Sequence, residues 1–559
     1  MTTTDMAKDQ ETNEESASSS EFDYAAALQS EPDQAKTPEE RPYKAKVSPD
    51  SKPPVKKTIG TVIAAVISGF LVVALFLYLL VERPLPWLSD AQVSTSSQMY
   101  TVSQTEQEQV CPGRMSLVDS GSYGDSQYQV SEGDITSSMR AVAVGKVYRS
   151  QITNLDGSSP LALVSPAGKD AQPIAVLSRG SGQASAHPFI QISQLTKASA
   201  GTGAAASVAS WASQGDLRGV AATSCIPVAL SQTFLAPSTR TGWTQQLILV
   251  NPSSKATVAT LKVHGSGNSQ ALALSANSSV TVGAHSQAKI NLSASAANQD
   301  GLLVSVTSSD SPLSGYIQAV RSQGLNSEGN DYVSPSPAAS QRLVIGTLAN
   351  SKQVSLLLYG ARSGTAHLTW LGTNGQEEES SQNTISFTGG KVGLIRLAAI
   401  PSGAAGIAIT SSQPIRASVL AESSQKGGSD FALITGRKPS SHAALTVPAD
   451  TKGTVVISNA RSTDCEANLQ SYDRKGRLVK TQKISLSAYS SQSFSLADSA
   501  SSPVAFVLKQ TSPSLSALSM ALSLSVPGLS PSLSQVAAVN SVNLASSAES
   551  IRIQRGPVL

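Results

Sequence analysis

The chain has 559 residues, a formal net charge of +3, 14% charged residues and 4% aromatic residues. That length exceeds one ordinary core and suggests about three to four domains. Abundant Ser, Ala, Thr and Gly suit thin β-domains rather than a large α/β enzyme, and so small a net charge gives no ground for nucleic acid as a partner.

Residues 1–57 hold twelve acidic and eight basic residues and scarcely any apolar clusters, so they read as a disordered tail. Tyr24 to Leu28 could form a transient helical turn or a docking motif, against plain disorder as the simpler reading. Residues 58–81, TIGTVIAAVISGFLVVALFLYLLV, carry no charge. At about 1.5 Å of rise per helical residue they cover the hydrocarbon layer of roughly 30 Å. Arg41, Lys44, Lys46, Lys52, Lys56 and Lys57 precede the run, while Arg83 alone follows it, beside Glu82 and Asp90. Basic residues stay on the cytoplasmic side, so a single-pass transmembrane helix with the N-terminus inside is expected, with the rest exported. Ser89-Asp90-Ala91 offers a signal-peptidase alternative, but the apolar run is longer than a usual signal core.

Residues 82–109 are rich in Pro, Ser and Gln and read as a stalk. Residues 110–229 read as a membrane-proximal β-domain with one long loop. The next stretches repeat. LILVNPSS from Leu247 is echoed by LLLYGARS from Leu356 and VVISNARS from Val455, about 100 residues apart. Each unit closes alike, with VTSSDSP, ITSSQP and KQTSPS. Alternation places Ala259, Leu261 and Val263 on one face of a strand, and Ala366, Leu368 and Trp370 on another. The expected fold is mostly β, with tandem Ig-like β-sandwich domains at 230–324, 341–424 and 443–525 and a C-terminal tail at 526–559.

Few residues suggest chemistry. Cys111 and Cys225 bracket the first β-domain and are placed to pair in an oxidising compartment. Cys465 aligns with inward-facing Ala366, as a small buried residue. The histidines make no HxH or HExxH pattern, so no metal site is expected. There is no GxSxG elbow, and the GSGQ at Gly180 and GSGN at Gly265 read as hairpin turns. Glu377 to Glu379 read as a solvated run. Trp211, Asp216 and Arg218, inside WASQGDLRGVAATSC, form either a binding patch or a capped helical turn with a core Trp and an Asp-Arg pair.

The anchor, VCPG from Val110, GDLRGVAATSCIP from Gly215 and LILVNPSSKATV from Leu247 resemble a family of actinobacterial anchored or secreted cell-envelope proteins of unknown function. That family often lies in genomic neighbourhoods with envelope glycosyltransferases, so the resemblance implies a cell-surface setting, and it carries over no catalytic residue. The expected function is a non-catalytic envelope protein, with no cofactor, whose extracytoplasmic ectodomain binds wall glycans or envelope proteins. Alternatives are an accessory subunit of a membrane glycan-synthesis complex and a wall-polymer hydrolase.

Overall fold

The computed structural model describes residues 69–78, 98–118, 130–164, 174–180, 187–275, 278–373, 375–376, 383–397, 399–496, 502–512, 515–544 and 548–553. The expected tail, most of the expected stalk and Glu377 to Glu379 lie outside these residues. Of the expected membrane span, only 69–78 is described. It is helical, and Phe70, Leu71, Phe76 and Leu77 are all more than half exposed. Among the described residues, no helix is long and apolar enough to cross a membrane.

Residues 95–559 form one compact unit. Its second sandwich shows the plan most clearly, with eight strands at Ser231–Ala236, Trp243–Asn251, Thr257–His264, Ser279–Val282, Ser286–Asn291, Leu302–Ser308, Ser314–Gln323 and Asn326–Val333. The first, sixth, third and fourth strands make one antiparallel sheet; the fifth, second, seventh and eighth make the other. Strict alternation explains the third strand. Ala259, Leu261 and Val263 are buried, while Val258, Thr260 and Lys262 face water.

The same strand order recurs over Ser340–Thr435 and over His442–Asn540. It also recurs in the first domain, from Glu106–Cys111 to Gly219–Ser224, where the sequence shows no clear repeat. The chain therefore folds four copies of one topology. In the third copy the sixth and seventh strands are one continuous strand, Gly406–Gln425, whose first half joins one sheet and whose second half joins the other. The ITSSQP motif that closes this unit in sequence thus lies inside a single strand.

Three expected boundaries move. The eighth strands at Asn326–Val333, Gly428–Thr435 and Ala537–Asn540 lie past the ends expected at 324, 424 and 525. The first contains Asn330 and Asp331 and the second Asp430, residues typical of loops that are buried here. Residues 98–109, expected as stalk, hold Gln98–Ser103 and most of Glu106–Cys111, and the expected C-terminal tail supplies Ala548–Ile553 as the partner of Gln98–Ser103. Polar strand residues concealed this; Gln109, for one, is buried, and its Nε2 donates to Gln191 Oε1 at 2.7 Å.

The four sandwiches meet in a closed cycle. Ile248, Tyr316 and Tyr332 of the second pack with Val110, Met115 and Leu217 of the first. Leu357, Leu420 and Phe431 of the third enter the core of the second. Val344, Leu371 and Ala408 of the third meet Ala460 and Tyr489 of the fourth. The fourth returns to the first through Trp211, Val220 and Ala222. Buried polar bonds seal this last seam: Ser207 with Thr446 at 2.6 Å, and Arg140 with the Val447 carbonyl.

Candidate functional site

Cys111 and Cys225 are bonded to each other, 114 residues apart in sequence. The bond ties the first strand of the first sandwich to the segment just past its eighth. Cys465 is buried at the start of the strand equivalent to that of Ala366. His367 is exposed, and GSGN from Gly265 lies in a turn after the third strand of the second sandwich.

Trp211, Asp216 and Arg218 do not form a surface patch, and no helix forms there. Trp211 is buried in the core shared with the fourth sandwich. Asp216 and Arg218 do not pair with each other. Asp216 Oδ2 accepts from the Ser131 amide at 2.7 Å, and Arg218 Nη2 donates to the Ser327 carbonyl at 3.1 Å. The loop is a structural joint between the first and second sandwiches.

That joint opens onto a hub where the eighth strands of all four sandwiches converge. Asp331, on the second sandwich's eighth strand, accepts from Ala222 N of the first at 3.2 Å and from Leu433 N of the third at 2.7 Å. Asp430, on the third's, accepts through Oδ2 from Val220 N of the first at 3.2 Å and from Val536 N of the fourth at 2.9 Å. Both carboxyls are buried, and burial holds them well above the usual carboxylate range, against the pull of those backbone donors. Asp430 Oδ1 has no hydrogen-bond partner among the described residues. It sits where a Cβ on Gly219 or Gly329 would come within 2.5 or 2.6 Å, and both glycines have positive φ. Only glycine admits the carboxyl there.

Past each eighth strand the chain leaves the hub, and the four departing segments wall a central cleft of about 640 Å³. They are Ser224 to Ala229, Pro335 to Ala338, Arg437 to Ser440, and Ser541 to Asn543, so every sandwich contributes. Leu518, Met520, Val542 and the prolines give the cleft apolar walls, and serine, threonine and amide groups line the rest. Its charged residues are Arg416, Arg437 and Lys438. The Arg416 guanidinium donates to the carbonyls of Ser336 and Pro337, and that of Arg437 donates to Ser334 Oγ at 3.2 Å. Burial lowers both guanidinium pKa values, that of Arg437 to about 10, so both remain cationic at neutral pH.

Two further clefts adjoin it. One, of about 500 Å³, shares Thr233 and Arg416 with the central cleft and adds Lys262, His264, Tyr359 and Arg362. The other, of about 340 Å³, shares Lys438 and adds Arg342 and Arg461. Burial, then neighbouring Lys262, lowers the His264 pKa. Among the described residues, no acidic side chain lines any of the three. A fourth cleft, of about 580 Å³ between the second and third sandwiches, is different: Arg321 there pairs with Glu328 at 3.0 Å and with Glu422. Among the described residues no three His, Cys, Asp or Glu side chains gather to hold a metal ion.

Sequence reasoning missed these cations, although one signal was present. Arg362 and Arg461 occupy the same place in the repeated units, in YGARS and SNARS, and each lines a cleft.

Fold and clefts together define a class: a multidomain β-sandwich protein with four copies of one topology and its clefts at the seams. The chain belongs to the family of unknown function DUF5719, whose model matches residues 176–497, more than half of its length. No curated protein and no solved structure matches the chain.

Proposed function

We propose that the chain is a non-catalytic single-pass envelope protein whose four-sandwich body binds wall glycans or envelope proteins in the clefts between its sandwiches. The carrying observation is the central cleft, walled by a segment from each of the four sandwiches beside their common hub. Rigid strands hold such connecting segments in fixed relation, which suits recognition. The envelope setting rests on the uncharged run at 58–81 with its basic leading flank, on the Cys111–Cys225 pair, and on the resemblance of the VCPG and GDLRG segments to anchored envelope proteins.

The test uses the full chain purified in mild detergent and mixed with isolated cell wall. Retention on the wall without turnover of labelled wall polymer is the expected result. Passage into the supernatant, or release of labelled fragments, would overturn the reading.

A further inference from the structure

We infer that the ligand is a linear anionic polymer, a glycan chain bearing phosphodiester or carboxylate groups, laid along the three acid-free clefts. This rests on the recognition reading above and names the chemistry of the same site.

Continuity comes first. Thr233 and Arg416 belong to both the central cleft and the one beside Lys262, and Lys438 belongs to both the central cleft and the one beside Arg461. The three therefore adjoin in a row across the seams of the second, third and fourth sandwiches. Seven cations line them: Lys262 and Arg362 toward one end, Arg416, Arg437 and Lys438 at the centre, Arg342 and Arg461 toward the other.

Arg114, Arg240, Arg321, Arg477 and Lys483 each form an ion pair with a carboxylate. Among the described residues, none of the seven does. Several cations elsewhere, among them Arg149, Lys289 and Arg396, also stand outside any ion pair among the described residues. What sets the seven apart is that they line adjoining clefts in which no described residue is acidic. Gathering like charges in walls of low dielectric is unfavourable, and it raises the local concentration of opposite charge. Carbonyls of the 334–337 segment hold Arg416 and Arg437 in place, and Arg437 Nε is buried with no acceptor among the described residues. An anion arriving there meets donors already oriented. Guanidinium groups match phosphate and carboxylate oxygens in pairs.

The arrangement also selects an extended ligand. The cations are spread over three clefts instead of converging on one point, so a single small anion reaches only a few. Arg416 and Arg437 are half-buried in concave seams, where a flat bilayer does not reach.

The test measures binding of the full chain, in nonionic detergent, to long-chain polyphosphate and to polygalacturonate. Binding to at least one is expected, weakening roughly tenfold or more between 50 and 200 mM salt. Changing Arg362→Gln, Lys438→Gln and Arg461→Gln together should weaken it at least about tenfold with the protein still folded and only a small fall in Tm, from loss of the Arg461 Nε bond to the Ser516 carbonyl. Arg396→Gln, in the mixed-charge fourth cleft, should leave it intact. Equal affinity for orthophosphate, or binding only to phosphatidylglycerol vesicles, would overturn the inference. Retention on wall that ignores salt and the triple change would also sink it while sparing the recognition reading. Polyanion binding without wall retention would do the reverse.

Discussion

The seam between the second and third sandwiches carries two clefts of opposite character. In one, Arg321 is closed off by Glu328 and Glu422 and lies 5.3 Å from the centre of the Trp243 ring and 5.4 Å from that of Phe431. In the other, Lys262, Arg362 and Arg416 face a cavity with no carboxylate among the described residues of its wall. The same fold, at the same seam, satisfies charge internally in one place and leaves it open in the other. A cation paired within the protein does structural work. A cation set beside a cavity without a counter-charge is available to something outside.

The hub belongs with the first kind, and the largest expected effect tests it there. Asp430→Ala removes the acceptor of two buried amides on two other sandwiches and should cost about 3–5 kcal/mol, read from denaturant unfolding. A change below about 1 kcal/mol would mean the hub is not a structural joint. Arg321→Ala should cost less, about 1–3 kcal/mol, because the glutamates it leaves keep some contact with water. It should not alter polymer binding, and loss of binding would erase the distinction between the two clefts.

The hub carboxyls also predict a pH dependence. Unfolded aspartate releases its proton near pH 4, whereas burial keeps Asp331 and Asp430 protonated to higher pH. In that window the folded state binds more protons than the unfolded one, so stability falls as pH rises. Melting at pH 5 and pH 8 should show a smaller drop for Asp430→Asn than for the parent; equal drops would remove the hub from the pH response. The smallest effect is expected from Lys438→Gln. It should change stability by less than about 0.5 kcal/mol, since Lys438 is exposed and unpaired among the described residues.

The three repeated sandwiches were legible because the strand-and-turn segments from Leu247, Leu356 and Val455 match. In two of them, the second and the fourth, one physical device marks that turn, where the third has Gly360. Asn251 ends the second strand of its sandwich, and its amide donates to the carbonyls of Lys255, Val282 and Gly283, locking the turn. Asn459 does the same in the fourth sandwich with Thr463, Leu486 and Ser487. The first sandwich lacks the device. Its second and third strands, Thr136–Val144 and Val147–Asn154, are joined by Gly145 and Lys146 alone, so identical topology leaves no shared signature. The eighth strands of the second and third sandwiches escaped notice for a different reason. Asp331 and Asp430 look like turn residues until backbone donors from other sandwiches are placed around them, and nothing local in the sequence announces those donors.

The cleft was hidden for the same reason. Its cations come from residues as far apart as Lys262 and Arg461, and only closure of the cycle brings their clefts together. The loop holding Trp211, Asp216 and Arg218 stood out in sequence for its density of distinctive side chains. Those side chains serve the joint between sandwiches.

Hydrogen exchange on the full chain tests the closed cycle most directly. The amides of Val220, Ala222, Leu433 and Val536 should be among the slowest and should exchange together, since the two aspartates join all four sandwiches. Were these amides to exchange early, with each sandwich's interior opening at its own separate rate, the four would be independent beads and no common hub would exist.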